Sequence, residues 1–229
     1  MARLWKHAPA LTSFIIFLTC TSHAKADSAF LQFSAINNPN GSWSYGYTPT
    51  SGGPIVLYTD TTPVFGQPGW RGGSCGWVAA NTSGADLRLG DSGVWPAGYL
   101  SLLPDNCGSL DVLRWTSPGA GTYQVSGFFQ NIDPASTITV HVFANGIPLL
   151  SSSALINSSA ALTFDFSLFL AAGSVIDFAV DNGGNGSSHD QVGLVANVNP
   201  VPEPGTLLLF ATGLACTARW RSRKQSTRA

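Results

Sequence analysis

The chain has 229 residues, 44% of them apolar and 10% charged, with a formal charge of −1. That balance excludes a disordered or collagen-like chain and is enough for a domain with a sizeable core. The near-neutral total hides three unequal segments, +3 over residues 1–26, −8 over 27–200 and +4 over 201–229, and the acidic middle segment is a poor partner for nucleic acid or an anionic membrane.

Residues 1–26 read as a secretory signal peptide. Arg3, Lys6 and His7 form a basic start, Ala10 to Leu18 is apolar apart from Thr12 and Ser13, and Ala24-Lys25-Ala26 fits an A-x-A cleavage site that leaves Asp27 first. Phe17-Leu18-Thr19-Cys20 invites a lipoprotein reading, against which Thr19 is a poor residue before a lipidated cysteine. Cys20 goes with the leader and Cys216 with the tail. Cys75 and Cys107 remain, and in an exported protein an even pair forms one disulfide; two buried free thiols are the alternative.

Residues 27–199 form one domain. Its signals are short apolar alternations between turn residues, with no credible helix. Ala29 to Ile36 is a first strand and Asn37 to Ser42 a turn. Trp43, Tyr45 and Tyr47 then fall on one face at period two, and Pro54 to Thr59 is a short strand. Thr61 to Gly73 is rich in Pro and Gly and carries Trp70, and Gly76 to Asn81 is a strand. Residues 82–109, with Trp95, Tyr99 and Cys107, read as a long irregular stretch of the kind that carries function. From Leu110 the pattern is regular. Strands span Leu110–Thr116, Thr122–Gln130, Ser136–Ala144, Ile147–Leu150, Leu162–Leu170, Ser174–Asp181 and Gln191–Asn199, with Asn145-Gly146 as a hairpin turn and 181–190 as a polar loop. One apolar and one polar face per strand predicts an all-β, two-sheet β-sandwich. A jelly roll fits best, and an immunoglobulin-like sandwich is the alternative. A short linker is expected between this domain and the tail.

The tail, residues 200–229, has three parts in a fixed order. Val201-Pro202-Glu203-Pro204 is held extended by its prolines, Thr206 to Ala218 is apolar, and Arg219, Arg221, Arg223, Lys224 and Arg228 form a basic cluster able to stop translocation. This order resembles the PEP-CTERM sorting signal of Gram-negative bacteria, over Val201 to about Lys224. The resemblance implies recognition by exosortase, a membrane-embedded cysteine transpeptidase, and cleavage near Pro-Glu-Pro. It also implies export through the Sec translocon and a transient inner-membrane stage. The apolar run of thirteen residues would span about 20 Å as a helix against a hydrocarbon core of about 30 Å, which suits a removable signal better than a permanent anchor.

The half from Leu110 to Asn199 is similar to β-sandwich domains found in many PEP-CTERM proteins, on LRWTSPGAGTYQVSGFF, VHVFANG and LAAGSVIDFAVDNGGN. It resembles galactose-binding-like and carbohydrate-binding jelly rolls in strand pattern and turn chemistry. That implies a fold and no specificity.

Candidate chemistry is sparse. Gly72-Gly73-Ser74-Cys75-Gly76 satisfies G-x-S-x-G, but the motif needs a strand before the serine and a helix after it, and His141 and His189, the available bases, sit in no recognisable context. Glycoside hydrolysis usually needs two carboxylates with separated pKa values, and residues 27–200 hold no Glu. No catalytic residue is therefore assigned. Asp181-Asn182-Gly183-Gly184-Asn185-Gly186 begins like a calcium loop, yet Gly183 at the third position and Val192 at the twelfth break the EF-hand pattern. A less regular calcium site would use Asp181, Asn185 and Asp190; no other cofactor is expected. Trp43, Trp70, Trp95 and Tyr99 are candidate stacking platforms for sugars, unless they cap the sandwich as core. The expectation is an exported, non-enzymatic structural or adhesive protein of the cell surface or extracellular polysaccharide matrix, with weak glycan contact. A secreted glycan-active enzyme and a calcium-stabilised carbohydrate-binding module are the alternatives.

Overall fold

Alternation at period two decides which way each long strand faces. The computed structural model describes residues 26–72, 75–104, 106, 108–152, 161–201 and 213. It contains β1 (Asp27–Ser28), β2 (Trp43–Thr48), β3 (Val56–Leu57), β4 (Gly69–Gly72), β5 (Cys75–Ala80), β6 (Leu87–Leu89), β7 (Gly93–Trp95) and β8 (Leu100–Leu103). The second half holds β9 (Leu110–Thr116), β10 (Gly121–Asn131), β11 (Thr139–Ala144), β12 (Ile147–Ser152), β13 (Ala161–Leu170), β14 (Val175–Asp181) and β15 (Val192–Pro200). One sheet has the order β13-β10-β15-β8-β5-β4, with β1 also on β15, and the other the order β12-β11-β14-β9-β2-β3; β6 and β7 form a separate hairpin.

From β8 onward the chain changes sheets at every connection except the β11–β12 hairpin. The resulting four-strand sets, β13-β10-β15-β8 and β12-β11-β14-β9, are antiparallel throughout. This is jelly-roll connectivity, and the fold is an all-β two-sheet sandwich. The N-terminal half widens it, with β5 and β4 beside β8 and β2 and β3 beside β9. Between the sheets lie Trp43, Trp115, Phe129, Phe178, Leu113 and Leu194, all fully buried, with Val125 from β10 and Val198 from β15.

Three local expectations are corrected. Ala29 to Ile36 is not a strand: β1 ends at Ser28 and a turn follows, with Gln32 N–H donating to Ser28 O at 3.1 Å. The edge of β15 that β1 would follow is taken by β8, which pairs with Val192 to Leu194. Residues 82–109 are not irregular throughout, since they supply β6, β7 and β8. The last escaped notice because it is covered on both faces: Ser101 is buried as deeply as Leu100 and Leu102, so no alternation shows. No linker precedes the tail either, because β15 runs to Pro200 and the Val201 N–H donates to Thr122 O at 2.8 Å.

The outer face of the β9–β14 sheet carries a buried ion pair. Arg114 and Asp177 sit opposite each other, with Nε to Oδ1 at 2.6 Å and Nη2 to Oδ2 at 2.8 Å, and Arg114 Nη2 also donates to Gly53 O at 2.9 Å. The chain around residue 53 covers the pair. It can lie that close because Gly52 has φ +68° and a Cβ there would come within 2.1 Å of the Gly146 Cα. Removing one partner of such a pair strands a buried charge. Asp177→Ala is expected to lower the unfolding free energy by about 3–5 kcal/mol, read as a reduced urea midpoint followed by the core tryptophans.

Candidate functional site

β10 and β15 cross the sandwich side by side, and their register fixes its two poles. Tyr123 faces Pro200 at one end and Asn131 faces Val192 at the other. At the Asn131/Val192 pole the loops leaving β10 and entering β15 meet the β6–β7 hairpin, where Val94 N–H of β7 donates to Ile132 O at 2.9 Å. Between them opens a cleft of about 360 Å³, lined by Phe65, Asp91, Ser92, Asp133, His189 and Gln191 among others.

The polar groups of the cleft are held in place. Asp133 is nearly buried, receives the Ala135 N–H on Oδ1 at 3.2 Å, and meets His189 Nδ1 with Oδ2 at 3.0 Å. The His189 side chain is 63% exposed, so the pair presents its imidazole to solvent. Gln191 Oε1 is buried with no partner among the described residues. Two of the three described non-glycine residues with positive φ line this cleft, Phe65 at 50° and His189 at 67°; the third, Asn145 at 49°, is in an Asn-Gly turn that favours it. Phe65 and Gly66 form a two-residue turn closed by mutual hydrogen bonds of Val64 and Gln67, both 2.9 Å. An aromatic residue in that conformation is strained, and the strain sits at a concave surface. Phe65 is 52% exposed and its ring meets Trp77 edge-on, over which the Arg71 guanidinium lies at 5.1 Å.

Most of the expected site residues are elsewhere. Trp43, Trp70 and Trp95 are core, so they offer no face to a sugar: Trp43 Nε1 donates to Gln32 Oε1 at 2.8 Å, Trp70 stacks on Tyr45, and Trp95 Nε1 donates to Tyr99 O at 3.1 Å. Tyr99 is half-buried and packs edge-on against Phe128. These rings stand on inward-facing strand positions or under the 82–99 segment, which covers the outer face of β5 and β8. The expected calcium ligands are each engaged by protein partners. Asp181 Oδ2 meets His141 Nε2 at 2.8 Å while its Oδ1 takes the Gly183 N–H, and His141 Nδ1 meets Ser151 Oγ at 3.0 Å. Asn185 and Asp190 instead both accept from Thr137. Among the described residues no three His, Cys, Asp or Glu side chains gather as a metal site.

The two aspartates titrate in opposite directions. Burial works to raise the Asp181 carboxyl, but hydrogen bonds from His141 and the Gly183 N–H outweigh it and hold it below the usual carboxylate range. Burial pushes Asp190 above that range, and the nearby Asp133 charge adds to the effect.

The remaining expectations fall at the chain ends. Ala26 is exposed and directly precedes β1, and Val201 closes the described fold. Ala24, Ser74, Cys107 with its expected bond to Cys75, Pro202, Glu203, Pro204, Arg219, Arg221, Arg223 and Lys224 lie outside the described residues. Of the run from Thr206 to Ala218 only Gly213 is described; among the described residues no helix is long and apolar enough to cross a membrane.

Residues 200–224 match the family model of the PEP-CTERM protein-sorting motif. The chain carries a PEP-CTERM sorting motif. Such a motif implies an exported, surface-sorted protein processed by exosortase. No curated protein matches this chain in sequence. Among solved structures, CBM51-2 in complex with GlcNAc and INT domains from Clostridium perfringens ZmpB is 15% identical, with a TM-score of 0.35, over 52% of this chain and 26% of that one. CBM51 from Clostridium perfringens GH95 in complex with methyl-galactose is 11% identical, with a TM-score of 0.32, over 52% and 83%. Pika GITRL is 14% identical, with a TM-score of 0.29, over 41% and 79%. The chain thus spans about a quarter of the first of these, and likeness at such scores says nothing of a ligand.

The protein should show the Asp190 shift in its stability. A carboxyl raised on folding binds its proton more tightly in the folded state, so its contribution falls as pH rises from the unfolded value of about 3.9 through the folded one. Asp190→Asn keeps an acceptor for the Thr137 N–H and removes the titration. Urea melts should show the stability difference moving in favour of the variant between about pH 3 and about pH 7.

Proposed function

We propose that this is a non-enzymatic, surface-displayed structural or adhesive protein that contacts neutral extracellular polysaccharide through the cleft around Phe65 and Asp133. The observation that carries this reading is polarity along β15. The strand starts beside the cleft at Val192 and ends at Pro200, where the sorting motif begins. Nine residues at about 3.3 Å each put the cleft roughly 30 Å from the point of attachment. A domain held by its tail therefore turns the cleft outward.

The lining suits a sugar. The exposed face of Phe65 can cover an apolar sugar face, while Asp91, Asp133, His189 and Gln191 offer hydrogen bonds to hydroxyl groups. The charge of −8 over residues 27–200 disfavours anionic polymers. Asp133 is already engaged by His189 and the Ala135 N–H, an arrangement that orients it for binding. In this reading the Sec translocon exports the chain of a Gram-negative bacterium, the tail passes transiently through the inner membrane, and exosortase, as a transpeptidase, processes the tail so that the domain is held by its C-terminal end at the surface or in the biofilm matrix.

Affinity electrophoresis of the full chain in gels containing neutral polysaccharides tests the reading. The parent should be retarded by at least one of them. Phe65→Ala and Asp133→Ala should each weaken retention roughly tenfold or more, the loss of a central contact worth at least about 1.4 kcal/mol, with each variant still unfolding cooperatively above the assay temperature. A parent that migrates freely in every neutral gel, or a Phe65→Ala variant that binds as the parent does, would refute it.

A further inference from the structure

The pole from which the sorting tail leaves differs in chemistry from the cleft pole. Three turns meet there: 117–120, 145–146 and 171–174. They read Ser-Pro-Gly-Ala, Asn-Gly and Ala-Ala-Gly-Ser and hold no charged side chain. They are tied together, Ser117 N–H to Ser174 O at 2.8 Å, Gly173 N–H to Ser117 O at 2.9 Å and Asn145 N–H to Val175 O at 2.9 Å. The charges nearby are satisfied: Asp27 accepts from Trp115 Nε1 at 3.0 Å and Gln32 Nε2 at 2.9 Å, and Arg114 and Asp177 neutralise each other in their buried pair. The opposite pole carries Asp91, Asp133, Asp181 and Asp190.

Large apolar side chains stand out on the uncharged pole. Phe169 is 75% exposed, Ile147 67% and Val201 41%. Phe169 lies opposite Thr122 in the register, and Thr122 O accepts the Val201 N–H, so Phe169 and Val201 flank Thr122 across three neighbouring strands. Ile147 opens β12 directly after the 145–146 turn.

We infer that this pole is a membrane-facing platform, which rests on the lipid interface with Phe169, Ile147 and Val201 while the sorting segment is in the bilayer. The inference rests on the reading that the run from Thr206 to Ala218 enters the membrane. Five residue steps separate Val201 from Thr206, so the chain can reach no more than about 18 Å whatever its conformation. The headgroup region occupies about 5–8 Å on each side of the hydrocarbon. The tether thus holds the pole close against the interface, where exposed apolar side chains lose contact with water and an uncharged surface meets no repulsion from anionic lipid. The acidic pole would be repelled, so charge selects the same orientation that the tether does. In this orientation the scissile region near Pro202 sits at the membrane surface, between the domain and a membrane-embedded protease.

A photoreactive benzophenone analogue of phenylalanine placed at Phe169, at Ile147 and, as control, at Phe65 of the full chain tests this. The chains are reconstituted in phosphatidylethanolamine/phosphatidylglycerol vesicles, floated, irradiated and read by mass spectrometry. The expected result is lipid adducts at positions 169 and 147, several-fold above position 65. Vesicle-bound chain with no lipid adducts at 169 and 147, or with equal adducts at 65, overturns the platform and leaves membrane insertion intact. Chain-to-chain adducts at 169 overturn it in favour of self-association. Chain that fails to float with the vesicles removes the insertion reading itself, and the platform with it.

Discussion

The pairing of β10 with β15 is the constraint on which the rest of the molecule depends. It brings together the two strands that cross the sandwich from pole to pole, in one unbroken antiparallel register from Tyr123/Pro200 to Asn131/Val192. Their inward side chains, Val125, Phe129, Leu194 and Val198, are central to the core, so a slip by one residue would turn these groups to solvent and bring Gln124 and Asn197 inside. The register also fixes where the two poles fall. It puts the loops after Asn131 and before Val192 together as one cleft, and it delivers Val201 to Thr122 at the far end, so that the sorting motif starts on the body of the domain.

Much of the second half was legible in the sequence because its strands obey the simplest rule available. Thr122–Gln130 and Leu162–Leu170 alternate, Leu110–Thr116 is set off by the turn that follows it, and the matching strands β10, β13 and β9 differ from them by one residue at most at either end. The Asn145-Gly146 turn announced its hairpin. The N-terminal half obeys other constraints. β8 is covered on both faces, so its four residues show no period. Ala29 to Ile36 alternates without a free strand edge to pair with. The sorting tail was legible for a different reason, since its order of parts is written in composition alone and needs no tertiary contact.

The cleft was the least legible feature. Its residues come from four separate stretches, and each has an ordinary local explanation: Phe65-Gly66 a turn, Asp91 a hairpin tip, Asp133 the start of a loop, His189 and Gln191 the end of another. The tryptophans that drew attention proved to be core: Trp43 and Trp70 join Trp115 in the cluster between the sheets, and Trp95 fills the smaller cluster under the 82–99 segment. A signal was present in Phe65, an aromatic in a two-residue turn where Asn or Gly is usual. The poles also differ in charge: Asp91, Asp133, Asp181 and Asp190 lie at the pole opposite the tail, while in the sequence the basic cluster follows the tail's apolar run.

The proposed function requires a domain attached at one pole that recognises glycan at the other. Hydrogen exchange of the full chain, with and without a saturating neutral polysaccharide, measures it directly. Protection should rise at residues 64–67, 89–94, 131–137 and 182–192 and stay unchanged at 117–122, 145–148 and 169–174. Protection confined to the tail pole, or none at either pole, would contradict it.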